Sequence, residues 1–247
     1  MQFADARLEN CLIKSHKLGL LQSPLSALVF YFGQYTSRLT FRPCEAAFLA
    51  YPHPDFRECA GVTSVNVLAA PSNYHNLSDS YMQIPRVSVR PFKLRSKDLN
   101  IRSMLTLMSV DQTQTAPLYM GQITRILREI ATASAGDFNY KAFKTALEAC
   151  NFSRAQRAPL QQRIELLESF LDLEDAAADH NFEAGSITII DLSCPFVDAN
   201  TACALFNIYM SIYLESDLAV GKVIAIDEAH KVYFPIPPIP LEYTHEA

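Results

Sequence analysis

Glycine is scarce in this sequence: seven residues of 247, at positions 19, 33, 61, 121, 136, 185 and 221, and no two are close enough to build a glycine-rich loop. The scarcity bears first on phosphate binding. A phosphate loop of the form G-x-x-x-x-G-K-[ST] cradles phosphates with backbone amides, neutralises them with its lysine and binds magnesium with its hydroxyl. The one Gly-Lys pair, Gly221-Lys222, is followed by Val223 and has Ser216 where the first glycine belongs. No such loop exists in these 247 residues. G-x-S-x-G is missing too, so a hydrolase nucleophile elbow has no support. Cysteine occurs six times, at 11, 44, 59, 150, 194 and 203, but never as CxxC. A chain of this length does not need disulfide staples, and a reduced, intracellular protein is expected.

Long apolar runs are also lacking. The longest helix-like one, TACALFNIYMSIYL (201–214), contains Asn207 and falls short of the ~20 residues of a membrane span. It reads as a buried helix, and no membrane partner is expected. The N-terminal stretch MQFADARLENCLIKSHKLG alternates charged and apolar residues, without a signal-peptide core. Charged residues make up 19%, below the roughly 25% of an average soluble domain. The net charge of −5 argues against a polyanion binder as a whole and leaves room for a local basic patch. What is abundant is apolar: 49% of residues, enough for a sizeable core in one large domain or two small ones.

The apolar residues are arranged in two patterns. Residues 4–18 place Leu8, Cys11, Leu12 and Ser15 or Leu18 at helical spacing, with Gly19 as a C-cap. LSALVFYF (25–32) is a continuous apolar run of strand length, the pattern of a strand buried on both faces. VTSVNVLAA (62–70) reads as another strand, and RVSVRPFKL (86–94) alternates like an edge strand limited by Pro91. CEAAFLAYP (44–52) is ambiguous. From Asp98 to about Leu173 nearly everything has helical period: PLYMGQITRILREIATAS, NYKAFKTALEAC and APLQQRIELLESFLDL. An acidic linker, 175–183, leads to a strand, SITIIDLS (186–193), a helix over 198–215 and a strand, KVIAID (222–227). Strand, long helix, strand is a βαβ unit, so those two strands are expected to be parallel. Ile189, Ile190, Val223, Ile224 and Ile226 are expected in the core, covered by Phe206 and Ile208.

Two of the strands end in acids. A carboxylate at the C-terminal end of a buried parallel strand sits where open α/β sheets bind ligands. There Asp227 can hold Mg²⁺ and Glu228 can polarise an attacking water, with His230 near the same mouth. The alternative is that Asp227 caps the next helix. Asp191, one βαβ unit upstream, either joins Asp227 at a nucleotide mouth or caps a helix of its own.

The stretch ITIIDLSCPFVDANTACALFNIYMSIYLES followed by GKVIAIDEAHKVY resembles the core of the HerA/FtsK-like P-loop ATPases, which include DNA-pumping motors and conjugation ATPases. The resemblance is firm over 186–231 and weaker before it. It implies a Walker B strand ending in Asp227 and Glu228, magnesium at Asp227, water activation by Glu228 and ATP as the nucleotide. It also implies an α/β fold built on a partial P-loop NTPase-like parallel sheet with a mostly helical insertion. The expected organisation is a first part of the core over 1–97, the insertion over 98–183, a second part over 184–233 and a proline-rich tail over 234–247. In that family the phosphate loop opens the helix before the second strand, which here places it before Met1. The expectation is therefore a truncated or degenerate ATPase-like domain; the alternatives are a non-catalytic interaction module and a gene fragment without independent function. Losing four or five charged hydrogen bonds removes about 6–15 kcal/mol, against about 8 kcal/mol for a whole micromolar affinity. ATP binding by this chain alone is not expected.

Two further groups carry chemistry. Arg86, Arg90, Lys93, Arg95, Lys97 and Arg102 stand against one acid, Asp98. They fit a DNA-tracking patch or a charge offered to a neighbouring subunit in a homo-oligomer or an assembly with partner ATPases; a strand edge guarded by cations is the alternative. Cys44, His53, Asp55 and Cys59 have ligand chemistry, but their spacing matches no zinc pattern.

Overall fold

The computed structural model describes residues 3–14, 21–33, 35, 37, 39–51, 61–108, 117–134, 138–174 and 182–227. Its centre is a five-stranded sheet, β1 Ser26–Tyr31, β2 Ser64–Ala69, β3 Val87–Pro91, β6 Ser186–Asp191 and β7 Lys222–Asp227, in the order β3-β2-β6-β1-β7. Every pairing is parallel. The protein is thus an α/β fold, as the apolar runs imply.

Position in the sheet follows from side-chain pattern. SALVFY and SITIID are buried at all six positions and take inner places. Such strands bury both faces, which continuous apolar and β-branched sequence allows. VSVRP alternates half-buried with exposed residues and forms one edge. β7 forms the other edge and is half-buried throughout. Ile189, Ile190, Phe206 and Ile208 are in the core as expected. Val223, Ile224 and Ile226 are only half-buried, because among the described residues β7 pairs with β1 alone. The two strands of the βαβ unit are therefore near-neighbours, with β1 between them.

Each face of the sheet has its own cover. On one, α7 (Ala199–Glu215) lies against β1. Phe206 packs on Phe30 with ring centroids 4.7 Å apart, and the Tyr213 hydroxyl donates to the Ser26 carbonyl at 2.7 Å. On the other lie α1 (Phe3–Leu12), a 3-10 turn over Glu45–Ala50 and α2 (Tyr74–Tyr81). The Leu25 amide donates to the Cys11 carbonyl, tying α1 to the start of β1.

Four helices, α3 (Ile101–Met108), α4 (Met120–Ala133), α5 (Tyr140–Glu148) and α6 (Arg154–Ser169), form the helical lobe. Among the described residues of 98–175 the only strand is the two-residue β5 (Leu171–Asp172), paired with β4 (Leu94–Arg95). The lobe is stitched to α7. Phe92 packs on both Phe170 and Tyr209, and the Arg163 guanidinium donates to the Leu107 carbonyl at 2.6 Å and the Thr201 hydroxyl at 3.1 Å. α6 starts four residues ahead of Ala158 because Ser153 and Gln156 form a capping box there. That start carries the helix through Pro159, which has no N–H to return to the Ala155 carbonyl. Among the described residues no helix is long and apolar enough to cross a membrane. The 234–247 tail and Gly19 lie outside the described residues.

Candidate functional site

The register of the sheet decides which strand-end residues meet. Tyr31 is level with Asp191 on one side and with Asp227 on the other. Residues in register on parallel strands present side chains to the same face, so both acids belong to the last row of the face covered by the 45–50 turn and α2. The chain also changes face at this row. β1 leaves toward the 45–50 turn and β2 toward α2, whereas β6 leaves toward α7. Such a switch point at the C-terminal ends of parallel strands is where open α/β sheets place ligands.

Asp191 is fully buried. Its Oδ1 accepts from the Ser193 amide at 2.9 Å and its Oδ2 from the Tyr81 hydroxyl at 2.7 Å. The loop after β6 is fixed in turn: Ser193 Oγ accepts from the Gly33 amide at 2.8 Å, and the Ser193 carbonyl accepts from Asn73 Nδ2 at 2.8 Å. A Cβ at Gly33 would stand 2.7 Å from the Tyr31 hydroxyl oxygen, so a side chain there would require the Tyr31 ring to shift. The alternative of Asp191 as a helix cap is not what the chain does. Asp198 caps α7, with its Oδ1 accepting from the Thr201 amide at 2.8 Å.

Asp227 joins the same network through Cys44. The Cys44 thiol donates to Asp227 Oδ2 at 3.5 Å, and the Cys44 amide donates to the Tyr81 hydroxyl oxygen at 3.0 Å. The order of contacts is Asp227, Cys44, Tyr81, Asp191, bridging the two strand ends across β1. Burial pushes Asp191 up to about 6; the Ser193 and Tyr81 hydrogen bonds pull against it, and the Asp227 charge adds to it. Burial, then the Asp227 charge, pushes the Cys44 thiol well above its ordinary value. Burial, then the Asp191 charge, does the same to the Tyr81 phenol. Both therefore stay protonated and act as donors.

Glu228 and His230 lie outside the described residues, as do His53, Asp55 and Cys59. Among the described residues no three His, Cys, Asp or Glu side chains cluster to hold a metal ion. Magnesium needs less, taking one or two carboxylates and completing its octahedron with water and phosphate. Asp191 is fully buried with a hydrogen bond on each oxygen, whereas Asp227 is half-buried on β7, so Asp227, with hard oxygens at the strand end, is the described residue that fits that ion.

The basic run divides. Lys93 reaches back to the Ser169 carbonyl at 2.7 Å and the Leu171 carbonyl at 3.3 Å, and burial lowers its pKa. Arg95 makes a two-pronged pair with Asp98 at 2.9 and 3.0 Å. Both serve the junction between sheet and lobe. Arg86, Arg90, Lys97 and Arg102 are exposed, and Arg86 holds a φ of 62° at the entry to β3. Cys194 and Cys203 are buried packing residues.

Tyr81 is the residue that sequence reasoning missed, and Cys44, singled out there with His53, Asp55 and Cys59, stands instead beside Asp227. A signal for Tyr81 was present: in YHNLSDSY, Leu77 and Tyr81 are the large apolar residues one helical turn apart, and both are fully buried. Nothing in the sequence marks Cys44 as the neighbour of a residue 183 positions away. Compared with known proteins, the chain matches no family model and no curated protein.

Proposed function

We propose that this chain is an ATPase-like α/β domain of the HerA/FtsK kind that carries the acidic half of a nucleotide site and no phosphate-binding loop. Support comes from one observation above the others: the register sets Asp191 and Asp227 level at the C-terminal row, on either side of Tyr31. In this reading Asp227 takes magnesium, which when bound offsets phosphate charge. Asp191 anchors the loop after β6, and Glu228 orients a water. ATP turnover needs a phosphate cradle beyond what these residues contain. Arg86, Arg90, Lys97 and Arg102 are the exposed cations of the basic run, and in this reading they meet DNA. Assembly as a homo-oligomer or with partner ATPase subunits belongs to the same reading.

A second reading, a non-catalytic module that binds a partner subunit, draws on the same network. Both oxygens of Asp191 are taken internally, and a thiol rather than a ligand meets Asp227. A Mn²⁺ titration followed by electron paramagnetic resonance separates the two. Weak binding by the wild type that disappears in Asp227→Ala supports the ATPase-like reading. Equal uptake by both proteins favours the module.

A further inference from the structure

We infer that Cys44 is a positioning residue that competes with a divalent cation for Asp227, so that occupancy of the Asp227 carboxylate is transmitted to the 45–50 turn. The inference rests on the reading of Asp227 as a magnesium ligand and adds to it how the chain's own side chains respond.

The Cys44 thiol is fully buried and its hydrogen points at Asp227 Oδ2. It donates to that oxygen at 3.5 Å. A thiol sulfur is a soft, poor ligand for a hard cation, which prefers oxygen. A cation taking Oδ2 therefore displaces the thiol. Cys44 is not free to move alone. Its amide holds the Tyr81 hydroxyl oxygen, and its carbonyl accepts from the Ala47 amide at 3.0 Å at the opening of the turn. Moving the thiol off Asp227 loads that turn and, through Tyr81, the start of the path to Asp191.

The sign of one substitution separates this from a merely structural role. A packing residue, when truncated, loosens the site and weakens any ligand there. A competing donor, when removed, strengthens the ligand. Cys44→Ala is therefore expected to bind Mn²⁺ about threefold to tenfold tighter than the wild type, the size set by one weak donor on a charged acceptor. Cys44→Val fills the volume without a donor and is expected to bind as tightly as Cys44→Ala. A second readout leaves Cys44 in place. Saturating Mn²⁺ should speed iodoacetamide alkylation of Cys44, measured on the Cys44 peptide by mass spectrometry, and should have no such effect in Asp227→Ala. Asp227-dependent binding that Cys44→Ala leaves unchanged or weakens would overturn the competition while leaving the reading of Asp227 intact. Binding that survives Asp227→Ala would sink that reading and the competition together.

Discussion

Replacing Tyr81 by phenylalanine tests the network that joins the two strand ends. The hydroxyl does two jobs in a fully buried place: it donates to Asp191 Oδ2 at 2.7 Å and accepts from the Cys44 amide at 3.0 Å. Phenylalanine fills the same volume, so packing is retained and the loss is polar. A hydrogen bond to a charged acceptor contributes about 1.5–3 kcal/mol, and a buried amide left unpaired costs about 1–3 kcal/mol. The expected destabilisation is about 3–5 kcal/mol. With a urea dependence of about 2–3 kcal/mol per molar, the unfolding midpoint falls by roughly 1.5 M. The loss also has a pH signature. The Tyr81 bond pulls the Asp191 pKa down from where burial would put it, so in Tyr81→Phe that pKa rises beyond about 6. A carboxyl whose folded pKa exceeds its unfolded one takes up a proton on folding and gains stability as pH falls between the two values. The cost of Tyr81→Phe is therefore greater near pH 8 than near pH 5. Urea unfolding followed by far-ultraviolet circular dichroism at both pH values measures it. A loss below about 1 kcal/mol at both would refute the idea that this hydroxyl holds the two strand ends.

Other perturbations address the scaffold and the acid itself. Asp191→Asn removes the titration, so between pH 7 and pH 4 the wild type should gain about 2 kcal/mol relative to the variant, from a folded pKa of about 6 against 3.8; parallel stability–pH curves would contradict this. Gly185→Ala forces a side chain onto a φ of 72° with its Cβ 2.8 Å from Thr63 Oγ1, and calorimetry should show at least the ~1–2 kcal/mol of left-handed backbone strain. Phe206→Ala empties a fully buried position under β1 and should cost about 3–5 kcal/mol in urea unfolding. Arg163→Ala releases the Leu107 carbonyl and the Thr201 hydroxyl; faster amide exchange at the end of α3 and the start of α7 is expected, with little change in β1 and β6.

The sheet was legible because its inner strands need apolar residues on both faces, and SALVFY and SITIID leave no other assignment. The alternation of VSVRP likewise announced an edge. The place of β7 was not legible. KVIAID has the composition of an inner strand, yet β1 comes between it and β6, because pairing order depends on contacts from residues 26–31 that no local pattern encodes. The carboxylates could be nominated from their position at strand ends, since that position follows from the strand pattern itself. Their partners could not. Tyr81 arrives from α2, and Cys44 from a turn whose sequence fits neither period. The basic run looked uniform in one dimension. Folding turns Lys93 toward the carbonyls at the end of α6 and Arg95 onto Asp98, and leaves four cations at the surface.

Phosphate release from MgATP by the purified 247-residue chain, compared with its Glu228→Gln variant, tests the claim of an acidic half without a phosphate cradle most directly. Glu228 can act only on a water aimed at a γ-phosphate already held in place. Equal, background rates from the two proteins are expected. Turnover by the wild type that Glu228→Gln abolishes would contradict the claim and require a phosphate site built from other residues, with exposed Arg86, Arg90, Lys97 and Arg102 the first to be replaced.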